Sequence, residues 1–180
     1  MRRVIDDMKT SRPVLYIFSG LPGTGKSTLA RQLAQEFSLV YLRIDTVEQA
    51  IRDLCSFNVE GEGYRLSYRV ARDNLSLGNS VVSDSCNPIT LTRREWEQVA
   101  LESQADYLNI EVICSDREEH RKRVESRQSD IPNLILPDWE QVENREYHPW
   151  DDNRVIIDTA FKRVEKSFQE LKTKIQETSS

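Results

Sequence analysis

The stretch from Val14 to Leu29, VLYIFSGLPGTGKSTL, constrains the fold of this chain more than any other part of it. It contains the pattern G-x-x-x-x-G-K-S between Gly20 and Ser27, preceded by an apolar run and followed by residues with helical spacing. A strand, a glycine-rich turn and a helix start in this order form a Walker A phosphate-binding motif. The alternative is a glycine-rich turn that binds nothing, which the flanking strand and helix patterns disfavour.

The residue types in this motif predict what each group does. Glycines permit backbone conformations in which the N–H groups of the turn point at phosphate oxygens, and the helix N-terminus adds positive charge. Lys26 is expected to bridge the β- and γ-phosphates, and Ser27 to supply a hydroxyl ligand to Mg²⁺. The residues predicted to bind the nucleotide are Gly20, Leu21, Pro22, Gly23, Thr24, Gly25, Lys26, Ser27 and Thr28.

Length and composition predict a single polar domain. The chain has 180 residues, of which 38% are hydrophobic and 31% charged, which is enough for one domain with its own core. Its net charge is −5 and it contains no long basic block. These features argue against a protein whose main task is electrostatic binding of nucleic acid, although a small basic cleft is compatible with them.

Cysteine usage and hydropathy predict a cytoplasmic protein. Cys55, Cys86 and Cys114 are odd in number and include no CxxC pair, which favours reduced thiols over a zinc site or a disulfide framework. No apolar run precedes Val14, so no signal peptide is predicted, and no segment reaches transmembrane length. The sequence does not indicate an oligomeric state.

Strand and helix patterns alternate along the chain. Residues 1–12 are predicted to be a loose lead-in or a short helical turn. The predicted strands are Val14–Ser19, Leu39–Ile44, Ser80–Ser83, Asp106–Cys114 and Val155–Ile157. The predicted helices are Ser27–Phe37, a helix from Asp45 or Thr46 to about Cys55, Tyr64–Leu77, Arg93–Ser103 (with Thr90 or Thr92 as the cap), Arg117–Arg127 and Ala160–Glu177.

This alternation predicts right-handed crossovers and a parallel sheet that is covered on both faces. The expected fold is α/β, a three-layer P-loop NTPase fold with a five-stranded parallel sheet, helices on both faces and a lid. The segment 128–150 is interrupted by prolines and aromatic residues and is predicted to be the lid rather than core. We expect one domain over residues 1–180, with a lid region at about 117–150.

Two aspartates directly follow predicted strands, at the edge of a parallel sheet where ligands bind. Asp84 is predicted to be a carboxylate near Mg²⁺, although an aspartate in a turn without a metal role gives the same pattern. Asp45 is predicted to face the γ-phosphate and to act as the base toward an acceptor hydroxyl. A simple helix cap at Asp45 would look identical in the sequence.

The predicted helix before the lid carries many arginines. A solvated, salt-bridged helix explains part of this charge. A closing lid also needs arginines to neutralise the transferring phosphoryl group, and we assign this role to Arg123 and Arg127. Arg93 and Arg94 are expected either to reach an anionic acceptor or to flank a helix start, and His120 and His148 to lie at the surface.

The motif SGLPGTGKSTLA, the turns at Asp45 and Asp84, the arginine-bearing helix and the late IDTA together resemble small P-loop kinases. The chain resembles the AAA-type "predicted kinase" family, which is related to polynucleotide kinase, chloramphenicol phosphotransferase, gluconate kinase and adenylylsulfate kinase. The resemblance implies that Asp45 is the base and that Asp158 and Thr159 lie near the adenine ring. An arginine that polynucleotide kinase carries three residues after its aspartate is Glu48 here, which weakens a nucleic-acid interpretation.

These observations predict an ATP- and Mg²⁺-dependent kinase that phosphorylates a hydroxyl of a small molecule. One alternative is a kinase for nucleic-acid 5′-hydroxyl ends, which would need a basic, open acceptor groove. A second alternative is a nucleotide-dependent switch or binding module without phosphotransfer. The sequence does not identify the acceptor.

Overall fold

The computed structural model describes residues 12–151 and 153–178, so the lead-in predicted at residues 1–11 lies outside the described part. Five strands are present: Val14–Ser19 (β1), Val40–Arg43 (β2), Val81–Asp84 (β3), Asp106–Ile113 (β4) and Val155–Asp158 (β5). The helices are Lys26–Glu36 (α1), Ile44–Cys55 (α2), Glu62–Ser76 (α3), Thr90–Glu102 (α4), Arg117–Ser126 (α5), Trp139–Glu143 (α6) and Val164–Thr178 (α7).

The five strands form one sheet in the order β2-β3-β1-β4-β5, and all the pairings are parallel. Successive residues of β1 point to opposite faces, so Phe18 enters one core while Leu15 and Ile17 enter the other. Helices α1 and α7 cover the first face, and α2, α3 and α4 cover the second. The predicted three-layer α/β fold with a five-stranded parallel sheet is confirmed.

The buried face of α3 is the one that carries Tyr68, not the one that carries Leu66 and Val70. Leu66 and Val70 are 44% and 45% exposed, whereas Tyr68, Ala71 and Leu75 are buried. The Tyr68 hydroxyl donates a hydrogen bond to Glu95 (3.0 Å), and its ring meets Trp96 edge-on at 4.6 Å. The face with Tyr68 packs against the sheet and α4, because Glu95 and Trp96 on α4 suit a ring with a polar tip.

Two predicted helix caps are wrong. Helix α2 begins at Ile44, immediately after β2, with Arg43 at the N-cap position and no side-chain capping bond. Asp45 therefore lies inside the first turn of α2 rather than at its cap. Helix α4 likewise begins at Thr90 with Ile89 at the cap, whereas α5 has a side-chain cap, because Asp116 accepts a hydrogen bond from the Glu119 N–H.

The region between α5 and β5 is irregular except for the short helix α6. It follows the edge of the sheet at which the strands end, above the glycine-rich turn. No helix in the described part of the chain is long and apolar enough to cross a membrane.

Candidate active site

The glycine-rich turn between β1 and α1 is shaped by close neighbours. Gly20 has a φ of 143°, and a Cβ there would overlap the backbone oxygen of Val112 on β4. Gly23 has a φ of 89°, and a Cβ there would lie 2.5 Å from a methyl group of Val124 on α5. These two positions require glycine both for their backbone conformation and for the space that β4 and α5 leave.

Hydrogen bonds hold this turn from both sides. The Gly20 N–H donates to the carbonyl oxygen of Cys86, in the segment that follows β3 (3.1 Å). The Thr159 hydroxyl, which follows β5, donates to the carbonyl oxygen of Thr24 (2.8 Å). The Thr24 hydroxyl donates to the carbonyl oxygen of Leu21 within the turn (2.9 Å). The loop is thus fixed by the ends of two other strands.

A buried ion pair lies directly beneath the turn. The Lys26 Nζ is 2.5 Å from Asp84 Oδ1, and the two side chains are 10% and 0% exposed. The Tyr41 hydroxyl donates to the other oxygen of Asp84 (2.6 Å), and Lys26 also lies within 3.4 Å of the Ser27 hydroxyl. The residues predicted to manage the phosphates and Mg²⁺ are therefore in mutual contact.

Lys26 and Asp84 each shift the pKa of the other. Burial by itself would raise the pKa of Asp84, but the charge and hydrogen bonds of Lys26, together with Tyr41, lower it below its ordinary value. Burial would lower the pKa of Lys26, and the Asp84 carboxylate raises it instead. Both groups are therefore charged at neutral pH, and the phosphate side of the site contains a fixed ammonium–carboxylate pair.

A cavity of about 910 Å³ opens in front of the turn, between α2 and the lid region. Eleven of the predicted site residues line it: Gly20, Leu21, Pro22, Gly23, Gly25, Lys26, Ser27, Thr28, Asp45, Arg123 and Arg127. Four others do not: Thr24 and Asp84 are buried, Asp158 is the last residue of β5, and Thr159 directly follows it.

Helix α2 presents a polar stripe to the cavity. Asp45, Glu48, Gln49 and Arg52 line it, and their spacing places them on one helix face. Asp45 is exposed, with its carboxylate in the first turn of α2, where the helix dipole favours negative charge. Burial raises the pKa of Glu48, an effect that the neighbouring Arg52 opposes (3.2 Å).

The two arginines assigned to the lid have different surroundings. Arg123 donates to the hydroxyl of Thr159 (2.7 Å) and to its carbonyl oxygen (2.9 Å), and it pairs with Glu119 at 2.5 Å. Arg127 donates only to the carbonyl oxygen of Pro137 (3.2 Å), and its buried Nε has no partner among the described residues. Arg123 is thus anchored beside the turn, whereas Arg127 lines the cavity without an ion pair among the described residues.

The Asp158 carboxylate is engaged by the backbone around it. It accepts hydrogen bonds from the Ser115 N–H (3.0 Å), the Ser115 hydroxyl (2.5 Å) and the Ala160 N–H (3.0 Å). Burial opposes ionisation, but these bonds lower the pKa of Asp158 below its ordinary value. The carboxylate therefore joins the loops after β4 and β5, and any nucleotide contact of Asp158 or Thr159 stays a prediction.

Residues 15–144 match the model of the AAA_33 family, which is described as an AAA domain. The chain belongs to this family. A curated relative, the adenylyl-sulfate kinase of Shewanella pealeana (strain ATCC 700345 / ANG-SQ1), is 30% identical over 141 residues, covering 71% of this chain and 67% of the relative.

Solved structures show the same fold at lower identity. The APS kinase of Mycobacterium tuberculosis, in complex with AMPPNP and APS, has a TM-score of 0.65 and 14% identity, covering 92% of this chain and 99% of that one. A gluconokinase from Sinorhizobium meliloti 1021 has a TM-score of 0.62 and 14% identity, covering 94% and 99% respectively. The fold of this AAA_33 domain is therefore that of P-loop kinases.

One residue of this AAA_33 domain near the turn, His120, has a position that the sequence does not predict. His120 was expected at the surface but is buried, and its Nε2 lies 2.8 Å from the Pro22 carbonyl oxygen. A carbonyl oxygen only accepts hydrogen bonds, so Nε2 carries the proton. The ring also meets Trp139 of α6 edge-on at 5.3 Å. His120 therefore connects the turn to the lid region, a contact that no local pattern signals.

We expect His120→Ala to lower stability by about 1–3 kcal/mol, because the Pro22 hydrogen bond and the Trp139 contact are both lost. Nucleotide affinity should fall as well, since the outer side of the turn loses a support. Thermal denaturation and titration with a fluorescent ATP analogue measure the two effects. His120→Gln keeps an N–H donor and should recover part of the loss; an alanine variant with unchanged stability and affinity would refute this role.

Arg93 has a structural position instead of an acceptor-binding one. Its buried guanidinium donates to the carbonyl oxygens of Asn87 (2.9 Å), His148 (2.9 Å) and Pro149 (3.1 Å). The Trp150 ring stacks on it with its centroid 4.0 Å away. Arg93 therefore fixes the end of the lid region to the turn after β3, and its guanidinium donates its hydrogen bonds to backbone carbonyl oxygens.

Asp130 fixes the other end of the lid region. Its carboxylate pairs with Arg31 of α1 (2.6 Å) and with Arg43 at the end of β2 (2.7 Å). Hydrogen bonds from these two guanidinium groups lower the pKa of Asp130 to about 2. The lid region thus spans the cavity between a buried anchor at Arg93 and an exposed ionic contact at Asp130.

Proposed function

We propose that this chain is an ATP- and Mg²⁺-dependent kinase that transfers the γ-phosphoryl group to a hydroxyl of a small molecule, in the cytoplasm and as a single domain over residues 1–180. The observation that supports it most is the juxtaposition at the cavity. The Lys26–Asp84 pair lies under the phosphate-binding turn, and the exposed carboxylate of Asp45 on α2 lines the same cavity as Lys26. Kinase relatives with small-molecule substrates support the same activity.

The residues divide the chemistry between them. The N–H groups of the turn and Lys26 would bind the phosphates, and Arg123 and Arg127 would neutralise charge on the transferring group. Asp45 would orient the acceptor hydroxyl and take its proton. By analogy with related kinases, Asp158 and Thr159 would lie near the base of the nucleotide, since they mark the carboxyl end of β5.

The donor set fits Mg²⁺ rather than a metal held by protein alone. In the described part of the chain, no group of three or more His, Cys, Asp or Glu side chains could hold a metal ion. Mg²⁺ in kinases usually has one or two protein ligands and completes its shell with phosphates and water. Ser27 and Asp84 would be those ligands, and the bound ion would supply charge neutralisation of the phosphates.

A screen with γ-labelled ATP and Mg²⁺ tests this function directly. It covers nucleosides, sugars, sugar acids, antibiotics and oligonucleotides, and it is repeated in excess chelator. We expect label transfer to a small hydroxyl compound that disappears with chelator. Transfer to oligonucleotide ends would identify the nucleic-acid alternative, and slow hydrolysis without any acceptor would identify a nucleotide switch.

The lid region is expected to close on bound nucleotide. Lids of this kind order around substrate phosphates and exclude water from the reaction. Asp130→Asn removes the carboxylate that Arg31 and Arg43 share, so proteolytic cleavage within 128–150 should increase. An ATP analogue with Mg²⁺ should reduce cleavage in the wild-type protein. Unchanged cleavage with bound nucleotide would speak against closure.

The contact of Asp130 with Arg31 and Arg43 should respond to salt concentration but not to pH. Since the pKa of Asp130 is held at about 2, its carboxylate stays ionised between about pH 5 and 8, and the contact should not titrate there. Both partners are partly exposed, so added salt should weaken it and increase cleavage. Glu140→Gln is the matched control, because Glu140 is an exposed lid residue with no ion pair among the described residues.

A further inference from the structure

The cavity is basic although the chain as a whole is acidic. Three carboxylates line it, those of Asp45, Glu48 and Asp130. Besides Lys26, six arginines line it: Arg31, Arg43, Arg52, Arg123, Arg127 and Arg145. The net charge of the whole sequence is −5, so this concentration of positive charge is local. A cleft of one sign attracts ligands of the opposite sign.

Most of these cations are already paired. Arg31 and Arg43 share Asp130. Arg52 pairs with Glu48, and Arg123 with Glu119. Within the described residues, no carboxylate lies within 4.0 Å of the guanidinium of either Arg127 or Arg145, and the buried Nε of Arg127 has no hydrogen-bond partner. Among the described residues, two arginines of the cavity therefore form no direct ion pair, although Asp45 is near Arg127 and Glu48 is near Arg145.

These two arginines occupy different parts of the cavity. Arg127 lies near enough to Asp45 for the two charges to interact, so it belongs to the place where the phosphoryl group would be transferred. The charge of Arg145 acts on Glu48 of α2 and on the Cys86 thiol, which follows β3. Arg145 is therefore on the side of α2 and the β3 loop, where the acceptor would bind.

The positive charges of Arg127 and Arg145 also repel each other. Burial lowers the pKa of Arg127, and the positive charge of Arg145 lowers it further. A single anionic phosphoryl group beside Asp45 would compensate Arg127 but would leave Arg145 on the acceptor side. A guanidinium suits the two parallel oxygens of a carboxylate, sulfate or phosphate. Arg145 is exposed and lines the cavity without an ion pair among the described residues, so its guanidinium is placed to bind a second anion, carried by the acceptor itself.

We propose, on the basis of the proposed kinase function, that the acceptor carries an oxyanion of its own and that Arg145 binds it. The oxyanion is a carboxylate, sulfate or phosphate at a distance from the hydroxyl that receives the phosphoryl group. The polar stripe of α2 would contact the rest of the acceptor. The Glu48 carboxylate would accept hydrogen bonds from hydroxyls of the acceptor, and the Gln49 amide would accept or donate them. In this proposal, Arg145 is the residue that makes the enzyme prefer acidic acceptors to neutral ones.

Binding is tested first, without phosphoryl transfer. The protein is saturated with a non-hydrolysable ATP analogue and Mg²⁺, so that the phosphate-binding turn is occupied, and inorganic sulfate is the probe. Sulfate should raise the melting temperature above that in chloride of equal ionic strength. Arg145→Gln should abolish the rise, and Arg94→Gln should keep it, because Arg94 is exposed on α4 and does not line the cavity. No rise, or an equal rise in Arg145→Gln, would overturn the proposal.

Turnover is tested next with matched acceptors, namely sugar acids, sugar phosphates and sugar sulfates against their neutral sugars. Only acidic members should be phosphorylated efficiently, and the member that is used identifies the oxyanion. Arg145→Gln should raise the KM for that acceptor about 10- to 150-fold, the range for a lost hydrogen bond to a charged group, with a smaller change in kcat. Arg145→Lys should recover part of the loss.

Two results separate this proposal from the kinase function. Efficient use of a neutral sugar, with a KM that Arg145→Gln leaves unchanged, would refute the acidic acceptor and leave the kinase function intact. A sulfate effect that depends on Arg145, without phosphorylation of any acceptor, would support the oxyanion site and refute the kinase function.

Discussion

Lys26→Ala is expected to lose ATP turnover by at least roughly 10²–10³-fold, the effect of removing one donor to the charge of a transition state. The same substitution should also destabilise the protein without nucleotide. It would leave the fully buried Asp84 carboxylate with the Tyr41 hydroxyl and with the more distant Arg43 guanidinium, 4.0 Å away. Breaking a buried pair by removing one partner typically costs about 3–5 kcal/mol. Steady-state turnover and denaturant unfolding measure the two losses separately.

A double variant distinguishes catalysis from folding. Lys26→Ala combined with Asp84→Asn removes both charges, so it should recover much of the lost stability and none of the turnover. A variant that regained turnover together with stability would show that Lys26 acts on the fold alone. Wild-type turnover in a folded Lys26→Ala protein would refute nucleotide catalysis at this turn.

The ion pair also predicts a pH dependence of stability. The pKa of Asp84 is lowered in the folded protein, so its stabilisation is complete above the ordinary aspartate pKa and is lost as the pH falls through the folded value. The pKa of Lys26 is raised, so its stabilisation is complete below the ordinary lysine pKa and is lost as the pH rises through the folded value. Unfolding curves of the double variant should lack both contributions.

Asp45→Asn is expected to reduce acceptor phosphorylation by roughly 10²–10⁴-fold, the range for losing a general base or the anion that orients the hydroxyl. The amide keeps the size of the side chain but not its proton affinity. Asp45 is exposed in the first turn of α2 and caps nothing, so stability should fall only by about 0.3–1 kcal/mol through the helix dipole. Nucleotide affinity should be nearly unchanged, because Lys26 and the turn bind the phosphates.

Asp84→Asn is the informative comparison for Asp45→Asn. Its defect should be partly relieved by higher Mg²⁺ concentration, since Asp84 is proposed as a ligand of that ion, whereas the Asp45→Asn defect should not respond. Initial rates over a range of Mg²⁺ concentrations separate the two. If Asp45→Asn phosphorylates the acceptor as fast as wild type, Asp45 is only a first-turn carboxylate, and Asp84 becomes the next candidate for the base.

The nucleotide side of the molecule is encoded locally. A strand, a turn with fixed glycines and a helix follow one another between Val14 and Glu36, so their hydrogen bonds and the position of Lys26 depend on neighbours in the chain. The five strands were predictable because each is a short apolar run between helical patterns. Parallel pairing then brings their carboxyl ends to one edge, which is why Asp45 and Asp84 were correctly expected on the same side of the sheet.

Contacts between distant segments could not be inferred in this way. The buried stripe of α3 depends on Glu95 and Trp96 of α4, and the burial of His120 on a carbonyl oxygen about one hundred residues earlier. In the sequence, Arg93 cannot be distinguished from an arginine that binds substrate. In the folded structure, residues 147–150 approach Arg93, and its guanidinium donates hydrogen bonds to their carbonyl oxygens.

The sequence by itself determined the α/β class, the sheet and the phosphate-binding turn, because these follow from apolar periodicity and from glycine positions within a few residues. The tertiary structure alone decided which charges meet. It paired Lys26 with Asp84 and Arg43 with Asp130, and it left Arg127 and Arg145 at the cavity without a direct ion pair among the described residues. Coulomb interactions depend on distance in space, which sequence separation does not specify.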